Sequence, residues 1–360
     1  MRPDPRYHAC IIAGGSGERF WPMSRTSAPK HLLRLFSERT LLEETIRRLK
    51  GVVRSGNIWI LTNRAQVPLI RKALPRFPRA RIVGEPSKRD TAPAAALATA
   101  LVRARHPDGV VALLPADALI KDSVRLGAQL RQAFRWAGAA GKGGTGENLL
   151  TFAIRPTYAA TGFGYLELGG PVAESAAGRL LRVKRFVEKP DAAAARRYLR
   201  SRRYAWNSGM FLWSVGSFLA EADRSSPELA SFIRDFPRGR HERFLAERFH
   251  LLPKTSVDYA ILEKASSVAT VVAEFDWDDV GSWTALPKHH GADKSGNVAR
   301  GPVFSVGTAN TIAVSNGRVI ALCGLRDLVV VETHDAVLVC HRDSVQDIKK
   351  LLPLLPRQHV

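Results

Sequence analysis

Two patterns of apolar spacing divide the chain near residue 290. Before it, short apolar runs alternate with stretches of helical spacing; after it, runs of three or four apolar residues recur every 8 to 10 positions with Gly, Asn or Asp between. In the first part, Ala9, Cys10, Ile11 and Ile12 read as a buried strand, and residues 57–62, 81–84 and 110–114 read as three more. Helices are predicted over 41–50, 66–74 and 94–105. Strands and helices in this alternation predict an α/β domain over residues 1–290, with a Rossmann-like, mostly parallel sheet covered on both faces. Shorter strands follow at 150–154, 163–168, 181–187 and 206–212, with a helix from 192 to about 200 capped by Asp191. The glycine-rich segment 141–146 reads as a surface loop.

Residues 291–360 predict a small β-domain, for which a left-handed β-helix is one arrangement, closed by a helix over 344–355. Three stacked coils or fewer are marginal alone. The β-domain should therefore pack on the first domain or on a second copy, which leaves a homodimer open.

Composition narrows the class. With 360 residues and 45% hydrophobic content the chain can bury a large core. No apolar run approaches the ~20 residues of a membrane span, and the polar residues 1–8 lack the apolar centre of a signal peptide. Cys10, Cys323 and Cys340 are odd in number and lie in apolar runs, so they read as reduced core thiols of a cytoplasmic protein. The net charge of +21 raises the question of nucleic acid. The basic residues are spread along the chain, however, and no nucleic-acid motif accompanies them, which argues against that partner. Groups such as Arg196, Arg197 and Arg200 fall at the spacing of a solvated helix face.

The chemistry gathers at strand ends. The first strand stops at Gly14-Gly15-Ser16-Gly17-Glu18-Arg19, with Lys30 further on. Three glycines in four positions let the backbone approach a bulky ligand and present successive N–H groups to an anion, and Arg19 and Lys30 add two cations. The P-loop triplet Gly-Lys-Ser/Thr is absent, and Phe20 stands where a dinucleotide fingerprint needs glycine. Glu85 and Asp117 also end strands, where ligands bind in open α/β sheets. Asp278-Asp279 supplies further carboxylates, and Glu188, Lys189 and Asn207 offer groups suited to hydroxyls and a phosphate.

Gly-Gly-x-Gly-x-Arg followed by Pro29-Lys30 resembles the signature of sugar-phosphate nucleotidyltransferases. The blocks at 85–93, 115–117, 161–165, 186–190, 206–211, 256–263 and 277–283, and the tail at 296–331, are similar to those of mannose-1-phosphate guanylyltransferases along nearly the whole chain. The resemblance implies the short form, without a fused isomerase domain. It implies a reaction in which GTP and mannose 1-phosphate give GDP-mannose and pyrophosphate with Mg2+. It implies that Gly14, Gly15 and Gly17 cradle the triphosphate while Arg19 and Lys30 stabilise charge in the transfer. Glu85, Arg89 and Thr91 would border the guanosine. Gly162, Glu188, Lys189 and Asn207 would hold the sugar phosphate, and Asp117 and Asp279 the metal; Asp258 lies in a matching block without an assigned role. Two positions depart from the family pattern: Ala118 replaces histidine and Asp90 replaces asparagine. The alternatives are transfer to another hexose 1-phosphate or from another nucleoside triphosphate, and a non-catalytic GDP-mannose-binding relative.

Overall fold

A computed structural model describes residues 2–139, 145 and 148–359; the expected glycine-rich loop at 141–146 lies outside them except for Thr145. The strands of the α/β part are β1 (Tyr7–Ile12), β2 (Ile58–Asn63), β3 (Ile82–Glu85), β4 (Val110–Pro115), β5 (Leu149–Ile154), β6 (Tyr165–Ser175), β7 (Gly178–Val187), β8 (Tyr204–Ser214) and β9 (Val268–Val272). The helices there are α1 (Leu41–Arg48), α2 (Val67–Ala73), α3 (Thr91–Arg105), α4 (Ser123–Gly138), α5 (Ala192–Ser201), α6 (Val215–Ser225), α7 (Pro227–Asp235) and α8 (Glu242–Arg248).

The strands form one nine-stranded sheet in the order β3-β2-β1-β4-β8-β5-β9-β7-β6. The β3, β2, β1 and β4 neighbours are parallel, as are β5 and β9, while β8 and β7 run antiparallel to their neighbours. The parallel half matches the all-apolar strand runs, because a strand covered on both faces has no polar side. Val110 to Leu114 are all buried. Helix α3 shows the same logic: residues 92–102 are buried without exception, and their small alanines let it seat closely on its neighbours.

Two compact units emerge from the packing. One comprises the chain up to Ala13, Thr45–Ala116 and Ile120–Trp277; the other comprises Gly14–Glu44, Asp117–Leu119 and the chain from Asp278 onward. The glycine loop, Asp117 and Asp279 thus belong with the C-terminal strands.

Within that second unit, β10 (Val298–Arg300), β12 (Ile312–Val314) and β14 (Leu328–Thr333) stack in parallel, with β15 (Ala336–His341) antiparallel at the end. A second parallel pair joins β11 (Val303–Val306) to β13 (Ile320–Cys323). Two successive coils, β10 with β11 and β12 with β13, each give one strand to each sheet, the arrangement of a short β-helix. Val298, Ile312, Val329 and Val331 face one apolar cluster with Phe20, Trp21, Leu35 and Trp283, so the coils and the glycine loop share a core. The expected closing helix is broken into turns, with α-helical geometry only at Ile348–Leu351. The core-thiol expectation needs correction at one position. Cys10 is buried, but Cys323 is exposed on β13 because alternate residues of that strand point outward.

Candidate functional site

In the second unit a single lysine organises the site residues. A 3-10 turn at Lys30–Leu32, entered through the extended Pro29, buries the Lys30 stem and aims its ammonium inward. Lys30 Nζ donates to Asp117 Oδ2 at 2.7 Å and to the Asp279 carbonyl oxygen at 2.9 Å. Asp117 and Asp279 come together because Leu119 and Asp278 exchange backbone hydrogen bonds of 2.8 and 3.0 Å. Burial pushes the Asp279 carboxyl above its ordinary pKa; Asp278 and Asp117 add to this, while Lys30 and Arg19 oppose it. Asp278 is spent elsewhere. Burial works against its charge, but His289 at 3.0 Å, Lys288 at 2.9 Å and the Val280 amide at 2.8 Å outweigh that and hold it at about 2.

The glycines divide by role. Gly17 has φ +72, and a Cβ there would collide with the Lys30 side chain, so this position serves the lysine. Gly14 and Gly15 have nothing within 4 Å of a would-be Cβ. Neither packing nor backbone conformation requires glycine at those two positions, whereas close approach of a ligand would. A Cβ on Gly281 would meet Asp279 Oδ2 at 2.9 Å and Arg19 Nη1 at 3.6 Å, so that glycine lets the carboxylate and the guanidinium face each other. Arg19 Nη1 also donates to Gln346 Oε1 at 3.3 Å.

Three features of this unit were not singled out from the sequence. Val280 is fully buried with φ 49, a strained setting for a β-branched residue next to Asp279. His31 is buried, and its pKa falls to about 4 chiefly through burial, partly offset by Asp117. Gln346 holds Arg19. Only the aspartates and cations carried a type-and-spacing signal.

In the first unit the structure gathers Glu188, Lys189, Asn207 and Asp258. Lys189 Nζ donates to Glu188 Oε1 at 2.6 Å. Burial works against the Lys189 charge, but Glu188, aided by Asp258, outweighs it and raises the ammonium's pKa. The Asn207 amide is pinned from both sides: its Oδ1 accepts from Thr151 Oγ1 at 2.7 Å and from the Gly209 amide at 3.3 Å, while its Nδ2 donates to Asp258 Oδ1 at 3.2 Å. Burial, reinforced by Glu188, pushes Asp258 up to about 7. Gly162 has open space around a would-be Cβ, whereas a Cβ on Gly164 would sit 2.5 Å from Glu188 Oε2. The tighter constraint therefore falls on Gly164. Phe163 meets Trp206 and Trp277 edge-on at 5.1 and 5.5 Å beneath the same turn.

Glu85, Arg89 and Thr91 lie between the end of β3 and the start of α3. Burial alone pushes Glu85 up to about 8. Arg89 Nη1 donates to the Leu252 carbonyl at 3.4 Å, and Thr91 Oγ1 accepts from the Val257 amide at 2.9 Å. Both are thereby tied to the segment that leads into Asp258. Asp90 has φ 69 and caps α3 through the Thr91 amide at 2.7 Å.

The residues fit a divalent cation by their chemistry. Asp117 adds to the cost of ionising Asp279, and an oxygen-seeking cation would relieve it. Among the described residues no group of three or more metal-ligating side chains occurs, so the remaining ligands would have to come from phosphate and water. No described helix is long and apolar enough to cross a membrane.

Comparison with known proteins adds substance. Residues 8–295 match the nucleotidyl transferase family model, and residues 301–355 match that of the mannose-phosphate isomerase/GMP-like beta-helix domain. A mannose-1-phosphate guanylyltransferase of Klebsiella pneumoniae is 37% identical over 358 residues, covering 96% of this chain and 73% of the relative. One from Escherichia coli is 32% identical over 351 residues, covering 95% and 74%. A solved structure from Thermus thermophilus, described as a mannose-1-phosphate geranyltransferase, superposes with a TM-score of 0.85 at 32% identity, covering 97% of this chain and 99% of its own.

Proposed function

The chain belongs to the nucleotidyl transferase family, among the mannose-1-phosphate guanylyltransferases, and on that premise we propose that it transfers GMP from GTP to mannose 1-phosphate, releasing pyrophosphate. The observation that carries the chemistry is Lys30, buried and bonded at once to the Asp117 carboxylate and the Asp279 carbonyl, in the same unit as the open backbone of Gly14 and Gly15.

The reaction needs no protein nucleophile: a phosphate oxygen of the sugar phosphate attacks the α-phosphorus and pyrophosphate leaves. What the protein must supply is position and positive charge. The open backbone at Gly14 and Gly15 receives the triphosphate. Arg19 and Lys30 face the charge that builds on its oxygens, in a setting where burial strengthens each interaction. Asp117 and Asp279 would hold Mg2+, which when bound neutralises phosphate charge. Glu85, Arg89 and Thr91 border the guanosine.

Glu188 and the pinned Asn207 read the mannose hydroxyls, and Lys189 meets the sugar's phosphate. With both lone-pair directions of Oδ1 used inside the protein, Asn207 offers the sugar its remaining N–H, a donor only.

The test is pyrophosphate release from the purified chain with mannose 1-phosphate and each of the four nucleoside triphosphates. GTP should be the preferred donor. Turnover with UTP or dTTP in place of GTP would sink the base assignment and leave the family standing.

A further inference from the structure

A cavity of about 240 Å3 opens in the first unit, lined by none of the residues assigned above, with Gly84 of its lining next in the chain to Glu85. Its floor is apolar, formed by Val67, Ile82 and Leu245, and its rim carries Arg64, Arg71 and His241. The local sequence explains the placement. Asn63 Oδ1 accepts from the Gln66 amide at 3.0 Å and starts the turn that puts Arg64 one residue beyond β2. Arg71, in the second turn of α2, lines the same cavity. Gly84 lets β3 come close: a Cβ there would lie 2.9 Å from Val67 Cγ2 and 3.1 Å from Arg64 Cα.

The lining carries more positive than negative charge, Arg64 and Arg71 against the carboxylate of Glu242. Among the described residues neither the Arg64 nor the Arg71 side chain has an ion-pair or hydrogen-bond partner. Glu242 also lines the cavity; its own backbone amide holds its carboxyl below the usual range, with help from His241, and it pairs with neither arginine. Two arginines and an apolar group of side chains lining one cavity favour a compact molecule that is dianionic at one end and apolar at the other, since forked N–H donors match phosphate oxygens. The volume is below the ~300–1,000 Å3 of sites for drug-sized ligands, which limits the body to about one ring.

We propose that this cavity is a second ligand site, for a small phosphomonoester with an apolar body. It is built independently of the nucleotide and sugar residues, and its occupant is held by Arg64 and Arg71.

Calorimetric titration of the full chain with phenyl phosphate tests it, with inorganic phosphate and benzoate as comparison probes. Phenyl phosphate should bind more tightly than either. Arg64→Gln and Arg71→Gln should each weaken it about tenfold, the loss expected for one charge-assisted hydrogen bond. Lys30→Met should leave it unchanged within roughly twofold, as for an independent site. Circular dichroism confirms that each variant is folded. Wild-type affinity in both arginine variants, or loss of binding in Lys30→Met, would overturn the site. Inorganic phosphate binding as tightly as phenyl phosphate would overturn the apolar half of the assignment, and equal binding of benzoate would overturn the phosphate half.

Discussion

The two clusters of candidate site residues are built on opposite principles. Around Lys30 the charges are under-satisfied: its ammonium bonds the Asp117 carboxylate and only the backbone carbonyl of Asp279, and the Asp279 carboxyl is pushed towards its neutral form by burial and by its carboxylate neighbours. Around Asn207 all but one N–H is already engaged, and Thr151, Gly209 and Asp258 leave the amide one orientation. The first arrangement is completed only by a ligand that brings charge. The second is finished before any ligand arrives. Under the proposed function the first would serve catalysis and the second recognition, since charge stabilisation lowers barriers while fixed hydrogen bonds select among hydroxyls.

Lys30→Met separates the two most strongly. It removes the ammonium that bonds the Asp117 carboxylate and the Asp279 carbonyl and should lower kcat on the order of a thousandfold in the pyrophosphate-release assay, as loss of a transition-state contact does. The KM for mannose 1-phosphate should stay near wild type. Gly17→Ala should act through the same lysine. Its Cβ would displace the Lys30 side chain and its φ of +72 is strained for alanine, so kcat should fall roughly a hundredfold with a lower melting temperature. On the other side, Thr151→Val frees the Asn207 amide to rotate. The KM for mannose 1-phosphate should rise about tenfold, the worth of one buried hydrogen bond, with kcat little changed; an unchanged KM would remove Asn207 from sugar recognition.

The smallest effect is a pH dependence of stability confined to the first unit. Folding raises the Asp258 and Glu85 carboxyls to about 7 and about 8. The folded state therefore holds protons that the unfolded chain has released. The associated stability is complete below about pH 4 and is lost as pH rises through 7 and then 8. Thermal melts between pH 4 and 9 should show this decline, and Asp258→Asn together with Glu85→Gln should flatten it.

Much of this was legible in the sequence because the signals were local. The apolar runs at 9–12 and 110–114 gave the parallel strands, and Gly17, Arg19 and Lys30 stood at the first strand's end. Asp191 as a helix cap needed only its own neighbours, and its side chain accepts from the Ala194 amide as expected. What stayed hidden depends on contacts distant along the chain. Asp258 lacked a role until Asn207 was seen to donate to it across 51 residues. The tight fit of Gly164 against Glu188 follows from strand register, and the grouping of the glycine loop with the β-coils follows from shared burial of Phe20 and Trp283. The outward Cys323 shows the limit of reading burial from residue type alone.

The central division of labour is tested most directly by measuring kcat and the KM for mannose 1-phosphate in one assay for Asp279→Ala and Asn207→Ala. The account predicts that Asp279→Ala nearly abolishes kcat and that Asn207→Ala raises the KM while retaining most of kcat. A wild-type kcat in Asp279→Ala, or a collapse of kcat at unchanged KM in Asn207→Ala, would contradict it.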